Sequence, residues 1–212
     1  MEGELPGGPP IRRRMSIVRL SDRRLAFHNA VPLREEDMRA VERLGDPALL
    51  LVPNRLHRLD VHAFTERYPG LRVFTSRAAR AKVWEVATVE GTWQDLPIDP
   101  ALSAHPIEGS RFGEAAFAVH SGDRVSLLFG DTVMNNPPAA GPHGFVLRAL
   151  GACGGPKVTP LVRLLAIFDR AAVARSLHRL AHLPGLCRLV PSHGEVVDSA
   201  AEGGLRRAAD AL

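Results

Sequence analysis

The sequence has little cysteine and no long apolar run, and these two absences set the first limits on the kind of protein it encodes. Its two cysteines, Cys153 and Cys187, do not form a C-x-x-C motif and are too few for a disulfide framework, so a reduced, cytoplasmic setting is expected. No apolar stretch approaches the roughly 20 residues that a membrane-spanning helix needs. The first residues, M-E-G-E, are acidic where a secretory signal would be basic. No membrane partner is therefore expected.

The chain also lacks a strong charge of one sign. Its formal net charge is +4 over 212 residues, and its arginines are spread along the whole sequence. The one basic cluster, at residues 12–14, lies in a Pro/Gly-rich segment and has no aromatic residues interleaved with it, unlike the stacking surfaces that bind nucleic acids. Nucleic-acid binding is therefore not expected, and a basic leader that recruits another polyanion is the lesser alternative.

What the sequence does contain is enough for one sizeable folded domain. It has 212 residues, of which 45% are hydrophobic and 24% charged, an ordinary composition for a soluble chain. The Gly, Pro and Glu residues at the start predict a flexible leader over residues 1–14. A single domain is predicted over residues 15–212, and no internal repeat of fixed period is visible.

Short apolar strands alternate with helical patterns along that domain. Strands are predicted over residues 16–20, 25–28, 49–52, 71–74, 114–120, 124–129 and 187–190, and helices over residues 35–44, 77–84, 160–168, 170–183 and 200–212. A further helix is predicted to end near Arg67. Residues 92–105 are expected to cross the surface as a loop, and residues 137–160 to form a loop-rich, lid-like segment with a helical turn at 145–150. Layered sheets with helices outside are the natural packing.

Three loops that each follow a short apolar strand carry potential metal ligands. The first contains His57, Asp60 and His62, the second Asp131, and the third His193. Three strand ends gathered on one side of a sheet would form a site. Asp131 directly follows a buried strand, where a lone acid is costly unless it caps a turn, pairs with a cation or binds a metal ion. Imidazole and carboxylate groups together suit zinc or iron.

The same regions carry a recognisable motif pattern in a fixed order. Residues 49–64 run from a strand through a polar loop into a helix, residues 127–135 contain L-F-G-D-T, and residues 189–196 contain P-S-H-G-E. From residue 15 onwards the chain resembles the metallo-β-lactamase fold superfamily. The resemblance implies that Asp131 matches the metal-bridging aspartate and His193 the last metal-binding histidine. It also implies an α/β fold, an αββα sandwich of two mixed β-sheets flanked by helices.

The first motif departs from the superfamily pattern. The usual text is H-x-H-x-D-H, whereas residues 54–62 read N-R-L-H-R-L-D-V-H, and no placement without gaps satisfies all four ligand positions. The chain is similar to an uncharacterised branch in which this motif reads roughly P-N-x-x-H. The resemblance therefore implies a reduced site for one metal ion, held by Asp131, His193 and either His57 or His62, instead of a full binuclear zinc centre.

Two further positions complete the expected site. Ser110 stands where the superfamily usually has another metal-binding histidine, and Glu114 begins the hairpin strand, as in the branch described above. Both are expected to orient the ligands and not to bind the metal ion themselves. Asp60 also has a structural interpretation as a residue at the start of a helix, and His57 and His62 can be read as a helix cap and a surface residue. Which of these three points into the site stays open.

The resemblance implies a metal-dependent hydrolase that acts on a small molecule of the ester, thioester, lactone or phosphodiester class. Asp131 or Asp60 would serve as the base, and the cofactor would be one divalent metal ion, zinc first, with iron and manganese as alternatives. The competing hypothesis is a degenerate member of the superfamily that has no metal and binds a ligand or another protein. Neither the substrate nor the oligomeric state follows from the sequence.

Overall fold

The computed structural model describes residues 2–4, 12–138, 145, 148, 149 and 151–212. The strands are β1 (Glu2–Glu4), β2 (Arg12–Arg14), β3 (Ser16–Arg19), β4 (Leu25–His28), β5 (Pro47–Val52), β6 (Arg72–Thr75), β7 (Val89–Gly91), β8 (Leu102–Pro106), β9 (Ala115–Ser121), β10 (Arg124–Phe129) and β11 (Leu186–Pro191). The helices are α1 (Glu35–Glu42), α2 (Val61–Arg67), α3 (Arg80–Trp84), α4 (Pro160–Leu165), α5 (Arg170–Ala181) and α6 (Ala201–Asp210), with a 3₁₀ turn at Trp93–Asp95.

Two mixed sheets form the centre of the molecule. The first has the strand order β3-β4-β5-β6-β7, in which β3 is antiparallel to β4 and the remaining neighbours are parallel. The second has the order β11-β10-β9-β8, in which only β10 and β11 are parallel. The parallel pairs bring several strand ends to the same side of the sheets, and this arrangement is what positions the site.

Three apolar layers hold the two sheets and the helices together. Leu51 and Phe74 of the first sheet pack against Phe117 and Leu128 of the second. The outer face of the first sheet buries residues of α1, α2 and α3, and the outer face of the second sheet buries residues of α4, α5 and α6, including Leu177. Each strand near the centre is covered on both faces, which explains its nearly continuous apolar sequence. The predicted αββα sandwich is therefore confirmed.

The predicted surface loop over residues 92–105 is wrong at its end. Residues 102–106 form β8, which pairs with β9 at the edge of the second sheet. The sequence L-S-A-H-P has no long apolar run because one face of this edge strand is only partly covered. Pro106 is tolerated because it ends the strand at the sheet edge, where a missing N–H costs little. Tertiary pairing, and not local sequence pattern, makes this strand.

Two predicted segments can be compared with the structure only in part. Strands β1 and β2 lie within residues 1–14 and pair antiparallel, and the Arg14 backbone N–H donates to the Ser192 carbonyl at 2.9 Å; the flexibility of this leader stays a prediction. Residues 139–144, 146, 147 and 150 lie outside the described residues, and with them most of the predicted lid and its helical turn. Among the described residues, no helix has the length and apolar content that crossing a membrane requires.

Candidate metal centre

The candidate site lies where three strands end. Asp131 follows β10 by two residues and His193 follows β11 by two residues, and these strands are parallel neighbours. His57 lies in the loop after β5, which occupies the centre of the other sheet. Because the parallel strands present their carboxyl ends to one edge, three loops from distant parts of the sequence converge.

Asp131 lies between the two imidazoles. Its Oδ2 atom is 3.2 Å from His57 Nε2, and its Oδ1 atom is 3.2 Å from His193 Nε2. One potential ligand atom from each of the three residues lies within 4.8 Å of the others. His57 and Asp131 are buried and His193 is half-buried, so solvent reaches the group mainly beside His193. The three side chains predicted at the separate loops are therefore brought together.

The orientation of the His57 ring is fixed from its other nitrogen. His57 Nδ1 lies 2.8 Å from Asn29 Oδ1, while Asn29 Nδ2 donates to the Arg14 carbonyl at 2.9 Å. With its amide nitrogen used in this way, Asn29 presents an oxygen to the ring, so His57 Nδ1 carries the proton that it donates. His57 Nε2 consequently faces the carboxylate. A second amide, Asn54 Nδ2, donates to Asp131 Oδ2 at 2.8 Å.

The electrostatics of the group call for a positive charge between imidazole and carboxylate. Burial pushes the pKa of His57 downwards, but the nearby carboxylates of Asp131 and, to a lesser extent, Glu114 raise it overall. Burial likewise works against ionised Asp131, yet His57 and His193 hold its pKa well below the usual value. A lone pair on Nε2 cannot face a carboxylate oxygen without a proton or a cation between them. Two imidazoles and one carboxylate form a donor set that fits a divalent ion such as zinc.

Glu114 shapes the loop that carries Asp131. Its fully buried carboxylate accepts hydrogen bonds from the backbone N–H groups of Gly130 at 2.8 Å, Asp131 at 2.9 Å and Thr132 at 3.2 Å. Burial and the Asp131 charge raise the pKa of Glu114 to about 7, and these N–H donors act in the opposite direction. Glycine is required at 130 because a Cβ there would lie 2.7 Å from the Pro53 Cβ and 3.0 Å from the Glu114 carboxyl carbon.

Three other predicted site residues lie outside the ligand group. Asp60 precedes α2 and forms an ion pair with Arg13 at 2.5 Å. His62 is exposed on α2, with its Nε2 atom 3.4 Å from Glu66 Oε1, because the helix that begins at residue 61 turns successive side chains by about 100°. Ser110 Oγ accepts a hydrogen bond from the Phe112 N–H at 3.2 Å. The catalytic role predicted for Asp60, the metal-binding role predicted for His62 and the ligand-orienting role predicted for Ser110 stay predictions.

Sequence reasoning gave no role to Asn29 or to Asn54, the asparagine of the P-N-x-x-H motif, although they hold His57 and Asp131 in place. Both are buried, and each follows the end of a buried strand, β4 and β5 respectively. Asn29 also has a positive φ of 65°, a conformation that asparagine tolerates better than most residues. A polar residue directly after an apolar strand was thus the available signal, but an asparagine in a turn has many local explanations.

Two mixed sheets flanked by helices form the αββα sandwich of the metallo-β-lactamase fold, and the histidine–aspartate–histidine group lies where strands of both sheets end. The chain is similar to the solved structure of a metallo-β-lactamase from Pontibacter korlensis, with a TM-score of 0.63 and 14% identity over 100% of this chain and 93% of that one. It is also similar to DIM-1 metallo-β-lactamase and to TMB-1, each with a TM-score of 0.64 and 11% identity over 99% of this chain and 90% of the other. Identities this low establish the fold alone. No protein-family model and no curated protein matches the sequence.

Proposed function

We propose that the protein is a metal-dependent hydrolase whose single divalent ion, zinc by first expectation and iron or manganese otherwise, is held by His57, Asp131 and His193. The observation that carries this proposal is the grouping of their three ligand atoms within 4.8 Å. The donor set supports zinc because imidazole and carboxylate are its usual oxygen and nitrogen ligands. The names of the structural neighbours above, two of them metallo-β-lactamases, support hydrolysis as the reaction class.

Each residue of the group has a distinct part in this proposal. A divalent ion bound here would lower the pKa of a water molecule to about 7 and so supply a nucleophile at neutral pH. His57 and His193 would serve as neutral imidazole ligands, and Asn29 would keep the His57 Nε2 lone pair directed at the ion. Asp131 would be the third ligand and would serve as the base for the water molecule, while Asn54 holds its carboxylate in place.

The metal content of the purified protein tests the proposal first. Protein purified without chelator is expected to contain about one zinc, iron or manganese ion per chain, measured by elemental analysis. His57→Ala and His193→Ala should each lose most of that metal because each removes one of three ligands. His62→Ala is the matched control, since His62 is an exposed histidine outside the group, and its metal content should equal that of the unsubstituted protein.

Activity tests the reaction class. A panel of ester, thioester, lactone and phosphodiester substrates should include one that is hydrolysed, with the rate abolished by chelator, restored by zinc and lost in Asp131→Asn. Metal-free protein whose free energy of unfolding does not change with chelator would contradict the proposal. That result would favour a ligand-binding or protein-binding member of the fold. The serine at position 110, where the superfamily usually has a metal-binding histidine, would agree with that alternative.

A further inference from the structure

A second set of metal-binding side chains lies on the outer face of the four-stranded sheet. Ser103 and His105 are on the edge strand β8, and His120 is on its neighbour β9. The register pairs Ser103 with Ala118 and His105 with Ala116, and both alanines face the layer that packs under the helices. The three polar side chains therefore share that face, where the helices leave them partly exposed.

Both imidazoles point at one hydroxyl group. Ser103 Oγ is 3.1 Å from His105 Nε2 and 3.2 Å from His120 Nε2. A serine hydroxyl can donate to one of these nitrogens and accept from the other. Two imidazole nitrogens from neighbouring strands are thus already directed at a common point, with an oxygen atom beside it.

The surroundings of these nitrogens suit a metal ion. Burial, followed by the proximity of His120, lowers the pKa of His105, which favours the neutral imidazole, the form that binds metals. His105 and Ser103 are half-buried and His120 is exposed. An ion can therefore reach the site from solvent, and water can complete its coordination.

We propose that His105 and His120, with Ser103 between them, bind a divalent transition metal ion of the kind that prefers imidazole, such as zinc, copper or nickel. The ion takes the place of the hydrogen bonds through the hydroxyl and links the edge strand β8 to β9. This site uses none of the residues of the candidate metal centre, so the proposal does not depend on the proposed function.

Zinc titration of a variant without the candidate centre tests this site. In the His193→Ala background, calorimetric titration with zinc chloride in a buffer that does not bind metal should show binding of a zinc ion. Adding His105→Ala or His120→Ala should weaken that binding at least tenfold, because each change removes one of two imidazole ligands. Adding Ser103→Asp should strengthen it at least tenfold, since a carboxylate oxygen is a better zinc ligand than a hydroxyl.

Hydrogen exchange provides the second readout and separates this site from non-specific zinc binding. Zinc should slow amide exchange in residues 102–105 of the His193→Ala protein and leave it unchanged when His105→Ala is added. His62→Ala in the same background is the control and should behave like the His193→Ala protein in both experiments. Absence of zinc binding in the His193→Ala protein, or a zinc affinity that is unchanged by the combined loss of His105 and His120, would overturn the proposal.

Discussion

Asn29 determines which nitrogen of His57 faces the site. Its side-chain oxygen accepts from His57 Nδ1 at 2.8 Å, and its amide nitrogen is held by the Arg14 carbonyl, so the amide cannot turn over without losing both bonds. In the proposed centre this fixes His57 as a ligand through Nε2. The second hydrogen bond of a metal-binding histidine commonly controls both the orientation and the basicity of the ring.

Replacing Asn29 tests this positioning role. Asn29→Ala should lower the zinc affinity of the candidate centre by about 10–100-fold, because the His57 ring loses its orienting acceptor. Asn29→Asp should keep most of the affinity, because its carboxylate can still accept from Nδ1. Competition with a metal-binding dye measures both affinities.

The stability of the two Asn29 variants serves as the control for that experiment. Both variants also lose the hydrogen bond from the Asn29 amide to the half-buried Arg14 carbonyl, which should cost about 0.5–1.5 kcal/mol in the free energy of unfolding. Alanine tolerates the positive φ of 65° at position 29 less well than asparagine or aspartate, so Asn29→Ala should lose somewhat more stability than Asn29→Asp, and urea denaturation measures both losses. Equal zinc affinities for Asn29→Ala and the unsubstituted protein would show that Asn29 does not position the ligand.

The ligand residues differ in how far the sequence could predict them. Asp131 and His193 were found because each lies in a short contiguous motif, L-F-G-D-T and P-S-H-G-E. The loop after β5 offered His57, Asp60 and His62, and the sequence did not choose among them. In the structure α2 begins at residue 61 and turns His62 outwards. His57 lies before the helix and faces Asp131, whereas Asp60 pairs with Arg13. Asn29 is adjacent to the site only through the pairing of β4 with β5, which no local pattern contains.

The turn at residues 130–132, which follows β10, is held by the side chain of Glu114, the residue directly before β9. Glu114 accepts three consecutive backbone N–H groups, those of residues 130–132, and these would otherwise be buried donors without acceptors. A carboxylate can do this because it has two oxygen atoms, and each of them can accept more than one hydrogen bond. The turn is therefore built by a long-range contact, although its glycine and aspartate are local signals.

Glu114→Gln should weaken this turn. A glutamine has one acceptor oxygen and places an NH₂ group against a backbone N–H, so the free energy of unfolding should fall by about 1–3 kcal/mol, measured by urea denaturation at pH 8. The zinc affinity of the candidate centre should fall as well, because the Asp131 backbone shifts.

Glu108→Gln is the matched control for Glu114→Gln. Glu108 forms an exposed ion pair with Arg179, and such pairs contribute little, so its loss should change the free energy of unfolding by no more than about 0.5 kcal/mol. Similar losses of stability in both variants would contradict the role assigned to Glu114.

The strands differ in how far their own sequences predict them. Strand β5 is apolar throughout and β10 ends in the apolar run L-L-F, and both were predicted because central strands covered on both faces have that composition. Strand β8 was missed because Ser103, His105 and Pro106 give it no apolar run. Its backbone is organised by β9 alone, so the information for this strand lies in its neighbour.

The interface between the two sheets contains a buried titratable group, the imidazole of His28. It is buried at the end of β4 in the first sheet, and its ring contacts Phe117 of the second sheet edge-on at a centroid distance of 5.4 Å. Burial, followed by the nearby His57, lowers the pKa of His28 to about 3. The folded molecule therefore holds this imidazole neutral between its halves.

Acid should weaken the whole sandwich through His28. Its pKa is lower in the folded state than in the unfolded state, so the unfolded chain binds more protons between pH 6.5 and pH 3, and the free energy of unfolding falls as the pH drops through that window. One such group contributes a slope of up to about 1.4 kcal/mol per pH unit. His28→Leu should remove this contribution, so the loss of stability between pH 6.5 and pH 5 should be smaller in the variant.

Urea denaturation at several pH values measures this difference. His62→Leu provides the comparison for the loss of an exposed histidine, and its stability should follow the pH dependence of the unsubstituted protein. A His28→Leu protein with an unchanged pH dependence would show that His28 is protonated in the folded state, contrary to its depressed pKa.

The parallel pairing of β10 with β11 has a consequence for how the protein is made. The ribosome synthesises Asp131 long before it reaches Leu186, so a nascent chain carries a sheet that still lacks its outermost strand and a site that lacks His193. The three side chains of the candidate centre can come together only after residue 193 has left the exit tunnel. If the centre binds metal as proposed, an ion that arrives earlier in synthesis would meet a site with one imidazole missing.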